Sequence, residues 1–136
     1  MYEQSGLDVQ TRLQDGLPAI RGDRNQLRQV MHNLLQNSQD ALAGSTAPRI
    51  EVRTEFAGGQ VWLKIVDNGS GFPESIIRRA LEPYVTTKTK GTGLGLAIVK
   101  KIIDEHHGSI TITNSLRRDG ERGATVSIAL PLAKAA

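Results

Sequence analysis

The chain has 136 residues, a formal net charge of +3 and no cysteine. Its length suits one domain with a substantial core, and the lack of cysteine excludes disulfides and thiolate chemistry. Three histidines argue against a zinc site, and the mild charge with 4% aromatic residues argues against nucleic acid as the partner. Neither a membrane-spanning apolar run nor a signal peptide is recognisable, so we expect a cytoplasmic domain without membrane contact.

A strand and a long helix are predicted for the first third of the chain. Apolar alternation over 7–13, before a DGLP turn, indicates a short strand or hairpin. Asp23 lies three residues before Gln26, the spacing of a capping box. Apolar residues then recur at helical spacing, so we predict an amphipathic helix over 24–43.

The rest of the chain reads as strands and helices joined by glycine-rich turns. Residues 50–56 and 61–66 alternate on either side of an AGG turn, which predicts an antiparallel hairpin with one buried face. The remaining elements are a short helix over 74–81, a loop over 82–92, a helix over 93–107 with Gly108 as its C′ residue, and two strands over 109–115 and 124–130. The predicted fold is a single α+β domain over 1–136. It is a two-layer sandwich with a mixed, mostly antiparallel sheet and about three helices on one face.

The segment GTGLGLAIVK, residues 91–100, has three glycines within five residues just before apolar helix formers. Glycine lets a ligand approach the backbone or lets φ become positive, and helix N-termini favour anions. A phosphate site is one interpretation of this segment, and a flexible loop before an ordinary helix is the other.

Two further groups of residues suggest a ligand. Asn33 and Asn37 lie four residues apart on one edge of the 24–43 helix, where Asn is unfavourable. The pair indicates ligation of a hard cation with phosphate, or a solvated helix flank. Asp67 ends a predicted strand and is followed by Gly69 and Gly71. Its carboxylate can accept a hydrogen bond from an exocyclic amine such as that of adenine, although a plain turn is the alternative.

A long segment after these glycines has the composition of a binding loop. Residues 72–92 carry four basic and two acidic side chains between two glycine clusters. Long irregular loops are commonly lids, and a basic, glycine-hinged lid suits a polyphosphate.

Five segments in order resemble the N, G1, F, G2 and terminal-strand motifs of histidine kinase catalytic domains. They are HNLLQNSQDAL (32–42), DNGSGF (67–72), EPYVTTK (82–88), GTGLGLAIVKKI (91–102) and GATVSIALP (123–131). Such domains share the Bergerat ATP-binding fold with gyrase, heat-shock chaperone and mismatch-repair ATPases. The resemblance covers about residues 7–132, and the segment over 82–102 is similar to nitrogen-regulation sensor kinases of the NtrY type.

The resemblance implies ATP and Mg²⁺ as ligands. Asn37 would ligate Mg²⁺, and Asp67 would accept from the adenine amine, with Gly69 and Gly71 letting the base approach. The lid hinge and the helix start would be formed by Gly91, Gly93 and Gly95, and backbone contacts to phosphate would come from Thr92, Leu94 and Leu96. Thr125 would place a hydroxyl near adenine. Lys88 would place a cation near the γ-phosphate.

Two positions depart from the family pattern. The F box has Leu81 or Tyr84 where phenylalanine is usual. Asp40 stands where many members place a cation for the phosphates, so Lys88 or Lys90 would supply that charge.

Asn33 would decide the type of reaction, because gyrase-type ATPases have a glutamate there that serves as general base. An amide lacks that basicity, which favours phosphoryl transfer to a histidine over hydrolysis. The family's phosphoacceptor motif has no match in this chain: His32 belongs to the N box, and His106 and His107 sit near helix C-terminal carbonyls.

We therefore expect a catalytic domain that binds ATP without autophosphorylating. Its expected partners are the histidine-bearing dimerisation domain of the same kinase and, downstream, a response regulator receiver domain. Three alternatives remain: a nucleotide-binding regulatory module without transfer activity, a gyrase-type ATP hydrolase, and a nucleic-acid binder supported only by the basic pI.

Overall fold

The computed structural model describes residues 8–42, 47–69, 71–72, 77, 79–82, 95–116 and 122–132. The strands and helices in these ranges are β1 (Asp8–Leu13), α1 (Arg24–Ala41), β2 (Arg49–Ala57), β3 (Gln60–Asp67), α2 (Gly95–Glu105), β4 (Ser109–Leu116) and β5 (Arg122–Pro131). The predicted short helix over 74–81 and loop over 82–92 fall mainly outside the described residues. The predicted α+β class is confirmed, with two helices rather than about three among the described residues.

The five strands form one mixed sheet in the order β1-β2-β3-β5-β4. β1 pairs with β2 in parallel, and the other neighbouring pairs are antiparallel. β1 is therefore a parallel strand at the sheet edge rather than one arm of a local hairpin. The predicted hairpin of β2 and β3 turns at Gly58 and Gly59, whose φ angles are 60° and 76°. Positive φ at both central residues is typical of a type I′ turn, which matches the twist of the strands.

Asp23 caps α1 as the capping-box spacing predicts. Its side-chain Oδ1 accepts from the Gln26 N–H at 3.0 Å. The Asp23 N–H donates not to Gln26 but to His106 Nε2, at 2.9 Å. His106 Nδ1 lies 2.8 Å from the Ile102 carbonyl oxygen, so these two bonds require a neutral imidazole with its hydrogen on Nδ1. The ring thus ties the start of α1 to the end of α2, and the two helices run antiparallel.

The end of α2 differs by one residue from the prediction. His107, not Gly108, takes the left-handed conformation, with φ of 61°. The His107 N–H donates to the Asp104 carbonyl at 3.0 Å and the Gly108 N–H to the Ile103 carbonyl at 2.9 Å, which is a Schellman motif. Gly108 is required for packing instead, because a Cβ there would lie 2.5 Å from the Ala129 carbonyl oxygen of β5.

The core lies between the two helices and one face of the sheet. Its most deeply buried side chains are Val30 and Leu34 of α1, Val99 and Ile103 of α2, and Ile50, Ile65 and Ile128 of the sheet. No helix in the described part of the chain is long and apolar enough to cross a membrane.

The opposite face of the sheet is polar. Glu51 is buried there between Arg12 and Arg53, to which it is ion-paired. Trp62 covers part of this face, with the Lys64 ammonium 5.6 Å from its ring centroid and its Nε1 donating to the Ala57 carbonyl. Trp62 and Lys64 therefore form a cation–π contact on this face.

Candidate functional site

Of the predicted ligand residues, Asp67, Gly69 and Gly71 lie at one end of the sandwich, where β3 ends and β5 begins. Asp67 is the last residue of β3 and is 6% exposed. Its Oδ1 accepts from the Gly69 N–H at 2.9 Å and from the Ala124 N–H at 3.3 Å. The Ser38 side chain on α1 forms a further hydrogen bond to this carboxyl group. Three elements of the fold therefore converge on one buried carboxylate.

Burial raises the pKa of Asp67 above its ordinary value of 3.8, and the hydrogen bonds from Gly69, Ala124 and Ser38 partly oppose that rise. Desolvation disfavours the charged form, whereas donors stabilise it. A carboxylate offers about four acceptor positions, so three donors leave capacity for one more. The carboxyl group thus suits one further donor, such as a ligand amine.

The turn after Asp67 is held by hydrogen bonds of Asn68 and by close packing of Gly69. Asn68 Oδ1 accepts from the Arg49 N–H at 2.8 Å, and Asn68 Nδ2 donates to the Ala47 carbonyl at 2.8 Å. A Cβ at Gly69 would lie 2.9 Å from the Ala41 carbonyl oxygen at the end of α1. Glycine at 69 is therefore needed for packing, in addition to its predicted role of letting a base approach.

Gly71 and Phe72 are held by a residue that the sequence analysis missed. Asn114 of β4 accepts from the Phe72 N–H through Oδ1 and donates to the Phe72 carbonyl through Nδ2, each at 2.7 Å. Gly71 has φ of 77°, and a Cβ there would lie 2.8 Å from Asn114 Oδ1. Asn114 lies 42 residues from Phe72 in the chain, so no local pattern indicates this contact.

The asparagine pair lies on the helix that forms the side of this site. Asn33 Nδ2 donates to the Gly95 carbonyl at 3.5 Å, which places Asn33 beside the first residue of α2. Asn37 is half-buried and directly precedes Ser38, the residue bonded to Asp67. Ser38 is buried, and its hydroxyl has a polar partner.

α2 starts at Gly95. A Cβ added to Gly95 would meet nothing within 4 Å among the described residues. The first N–H groups of a helix lack intrahelical partners and favour an anion. The Leu96 side chain belongs to the core, so only its backbone can face a ligand. The predictions for Lys88, Gly91, Thr92, Gly93 and Leu94 lie outside the described residues.

The structure does not bring the Thr125 hydroxyl to Asp67, because alternation along β5 turns it the other way. Thr125 pairs with Val66 and Thr113, on the polar face of the sheet. Its neighbour Ala124 is on the helix side and supplies the backbone donor to Asp67. The role of Thr125 near adenine stays a prediction.

Gly123 of β5 is a further residue that the sequence analysis did not single out. A Cβ there would overlap the Asp67 carbonyl oxygen and lie 3.2 Å from Asn68 Cα. Only glycine lets β5 start this close to the end of β3.

Comparison with known proteins agrees with this arrangement. Residues 22–134 match the family model described as histidine kinase-, DNA gyrase B- and HSP90-like ATPase. A putative NtrY-like sensor histidine kinase of Rickettsia felis is 41% identical over 112 residues, which are 82% of this chain and 18% of that protein. Nitrogen regulation protein NtrY of Azorhizobium caulinodans is 41% identical over 119 residues, 84% of this chain and 15% of that protein.

Solved structures of histidine kinases have the same fold. The nucleotide-free catalytic domain of histidine kinase ThkA superposes with a TM-score of 0.81 at 30% identity, covering 96% of this chain and 82% of that one. Full-length ShkA in complex with AMPPNP superposes with a TM-score of 0.77 at 26% identity, covering 98% of this chain and 27% of that one.

The chain belongs to the family of histidine kinase-, DNA gyrase B- and HSP90-like ATPases. Within that family its relatives and fold are those of the ATP-binding catalytic domain of sensor histidine kinases, with NtrY-like proteins among the relatives. The chain spans about a fifth or less of the length of these curated relatives.

Proposed function

We propose that this chain is a single catalytic domain that binds ATP with Mg²⁺. It passes the γ-phosphoryl group to a histidine on the dimerisation domain of the same kinase, for relay to the receiver domain of a response regulator. The observation that carries the proposal is the buried Asp67 carboxylate, which three donors hold at the end of β3 beside the asparagine-bearing helix.

Each described residue has a role that its chemistry fits. Asp67 accepts from the adenine amine, and we assign to Gly69 and Gly71 the close approach of the base to the backbone. The Asn37 amide oxygen is a hard ligand of the type that Mg²⁺ takes together with phosphates. When bound, Mg²⁺ neutralises charge on the transferring phosphoryl group. Asn33 lies where a hydrolase needs a general base, and an amide cannot accept the proton of an attacking water.

The phosphate end of the site combines α2 with the segment before it. We assign backbone contacts with the phosphates to Gly95 and Leu96, the first two residues of α2. We assign the same role to Gly91, Thr92, Gly93 and Leu94, and we assign to Lys88 the cation beside the γ-phosphate. A basic segment there is suited to closing over a polyphosphate.

The decisive experiment supplies the missing acceptor. The chain is incubated with Mg²⁺, radiolabelled ATP and a purified dimerisation domain that carries its histidine. Acid-labile, base-stable label on that domain supports the proposal, and a dimerisation domain with the histidine replaced by alanine is the control. ATP binding without labelled acceptor would identify a regulatory nucleotide-binding module. Rapid release of free phosphate by the chain alone would identify a hydrolase.

The pocket itself is tested by replacing Asn37. Asn37→Ala removes the proposed Mg²⁺ ligand, so we expect it to weaken binding of Mg²⁺-ATP at least about tenfold, the effect of losing about 1.4 kcal/mol. Gln29→Ala is the matched control, because Gln29 is an exposed amide on the same helix. Equal affinities of the two variants would contradict the assignment.

A further inference from the structure

The Asn114 side chain makes hydrogen bonds that a neighbouring strand would otherwise make. Its amide donates to the Phe72 carbonyl and accepts from the Phe72 N–H, both at 2.7 Å. Two bonds to one residue reproduce the pattern that a residue of a neighbouring strand makes in a hydrogen-bonded pair. The segment after Asp67 is thereby attached to β4.

We propose that Asn114 is a positioning residue for the adenine side of the nucleotide site. The inference rests on the proposed function, because it assigns to Asn114 the task of holding the glycine turn beside Asp67. In this proposal Asn114 makes no contact with the nucleotide. It acts through the backbone of Gly71 and Phe72.

The conformation of Gly71 explains why this turn needs an external anchor. Its φ of 77° is in the left-handed region, which glycine enters readily and also leaves readily. A segment with that freedom follows a defined path only where contacts impose one. Asn68 and the Asp67 carboxyl hold the first half of the turn, and Asn114 holds the second half.

A purely structural role would produce a different pattern of effects. The Asn114–Phe72 bonds lie at the surface, so after substitution water can satisfy the Phe72 groups with little loss of global stability. The chief consequence of losing the bridge is disorder in the turn. A ligand that needs the turn ordered must then supply the ordering itself, which lowers its affinity.

The test compares Asn114→Ala with Thr113→Ala, an adjacent exposed position on the other face of β4. We expect Asn114→Ala to weaken ATP and ADP binding by the same factor, about tenfold for two neutral hydrogen bonds. The factor is shared because both nucleotides have the same adenine. We also expect faster amide hydrogen exchange at Phe72 in the nucleotide-free variant. Thr113→Ala should change neither quantity.

Asn114→Asp adds a variant of nearly unchanged shape. It retains the acceptor for the Phe72 N–H but places an oxygen against the Phe72 carbonyl, so we expect it to bind both nucleotides more weakly than the parent. Parent-like nucleotide affinity or parent-like exchange at Phe72 in Asn114→Ala would overturn this role alone. Failure of the parent to bind either nucleotide would overturn the proposed function, and the positioning role with it.

Discussion

Replacing Asp67 with asparagine should separate nucleotide binding from fold stability. The substitution keeps the shape of the side chain and keeps Oδ1 as an acceptor for the Gly69 and Ala124 N–H groups. It removes a buried negative charge and replaces one oxygen by an NH₂ group. The proposed adenine amine would then face a donor in place of an acceptor.

The expected loss of binding is large. A hydrogen bond to a charged group contributes about 1.5–3 kcal/mol, and a buried donor left unpaired costs a further amount of about 1–3 kcal/mol. We take about 3 kcal/mol as a conservative net value, which corresponds to an increase of more than about 100-fold in the Kd for ATP. Titration with a fluorescent ATP analogue measures this change.

The stability of Asp67→Asn relative to the parent should depend on pH. Because burial raises the folded-state pKa of Asp67 above 3.8, the contribution of this group to stability is present below 3.8 and is lost as pH rises through the raised value. Asparagine does not titrate. The free energy of unfolding of Asp67→Asn, relative to the parent, should therefore increase as the pH rises from about 4 toward 7. Urea unfolding at several pH values measures it.

Asp67→Ala is the control for the loss of hydrogen bonding. Alanine leaves the two backbone donors and the Ser38 hydroxyl without their acceptor, so it should destabilise the fold by about 1–3 kcal/mol. Two results would refute the reasoning: ATP affinity of Asp67→Asn equal to that of the parent, or a stability of Asp67→Asn at pH 7 as low as that of Asp67→Ala.

Three other substitutions test the described contacts. Ser38→Ala removes a donor that lowers the pKa of Asp67, so that pKa should rise further, as an NMR titration of the carboxyl carbon would show; an unchanged titration would contradict the bond. His106→Ala removes the acceptor of the Asp23 N–H and the donor to the Ile102 carbonyl. The substitution should lower the free energy of unfolding by about 1–2 kcal/mol, as thermal unfolding would show, while ATP affinity is retained. His107→Gly removes the side chain that disfavours the left-handed conformation, so it should raise the free energy of unfolding by about 0.5–1 kcal/mol. An equal or lower Tm would be evidence against strain at this residue.

Elements that repeat a simple pattern were predictable. The apolar period of α1 predicted a helix over 24–43, and the structure has it over Arg24–Ala41. The hairpin of β2 and β3, the strands β4 and β5 and the cap at Asp23 were predicted in the same way. These patterns can be read from the sequence because they are local. In a helix, residues three or four positions apart share a face, and in a strand alternate residues do.

The exact residue at which a helix ends was harder to predict from the sequence. The C′ residue of α2 was predicted as Gly108, because glycine is usual in the left-handed conformation. The structure places His107 there, and Gly108 is needed instead where the chain passes the Ala129 carbonyl of β5. The local preference of glycine could not reveal that a later strand, β5, would require it for packing.

Sequence alone determined the helix–strand pattern, the polar edge of α1 and the carboxylate at the end of β3. Only the tertiary structure decided what surrounds that carboxylate. Ser38 and Ala124 donate hydrogen bonds to Asp67. Asn114 bonds to Phe72, and Thr125 lies on the opposite face of the sheet. The physical reason is that these contacts join residues far apart in the chain. Their geometry depends on strand register and helix placement, which no local period of side chains encodes.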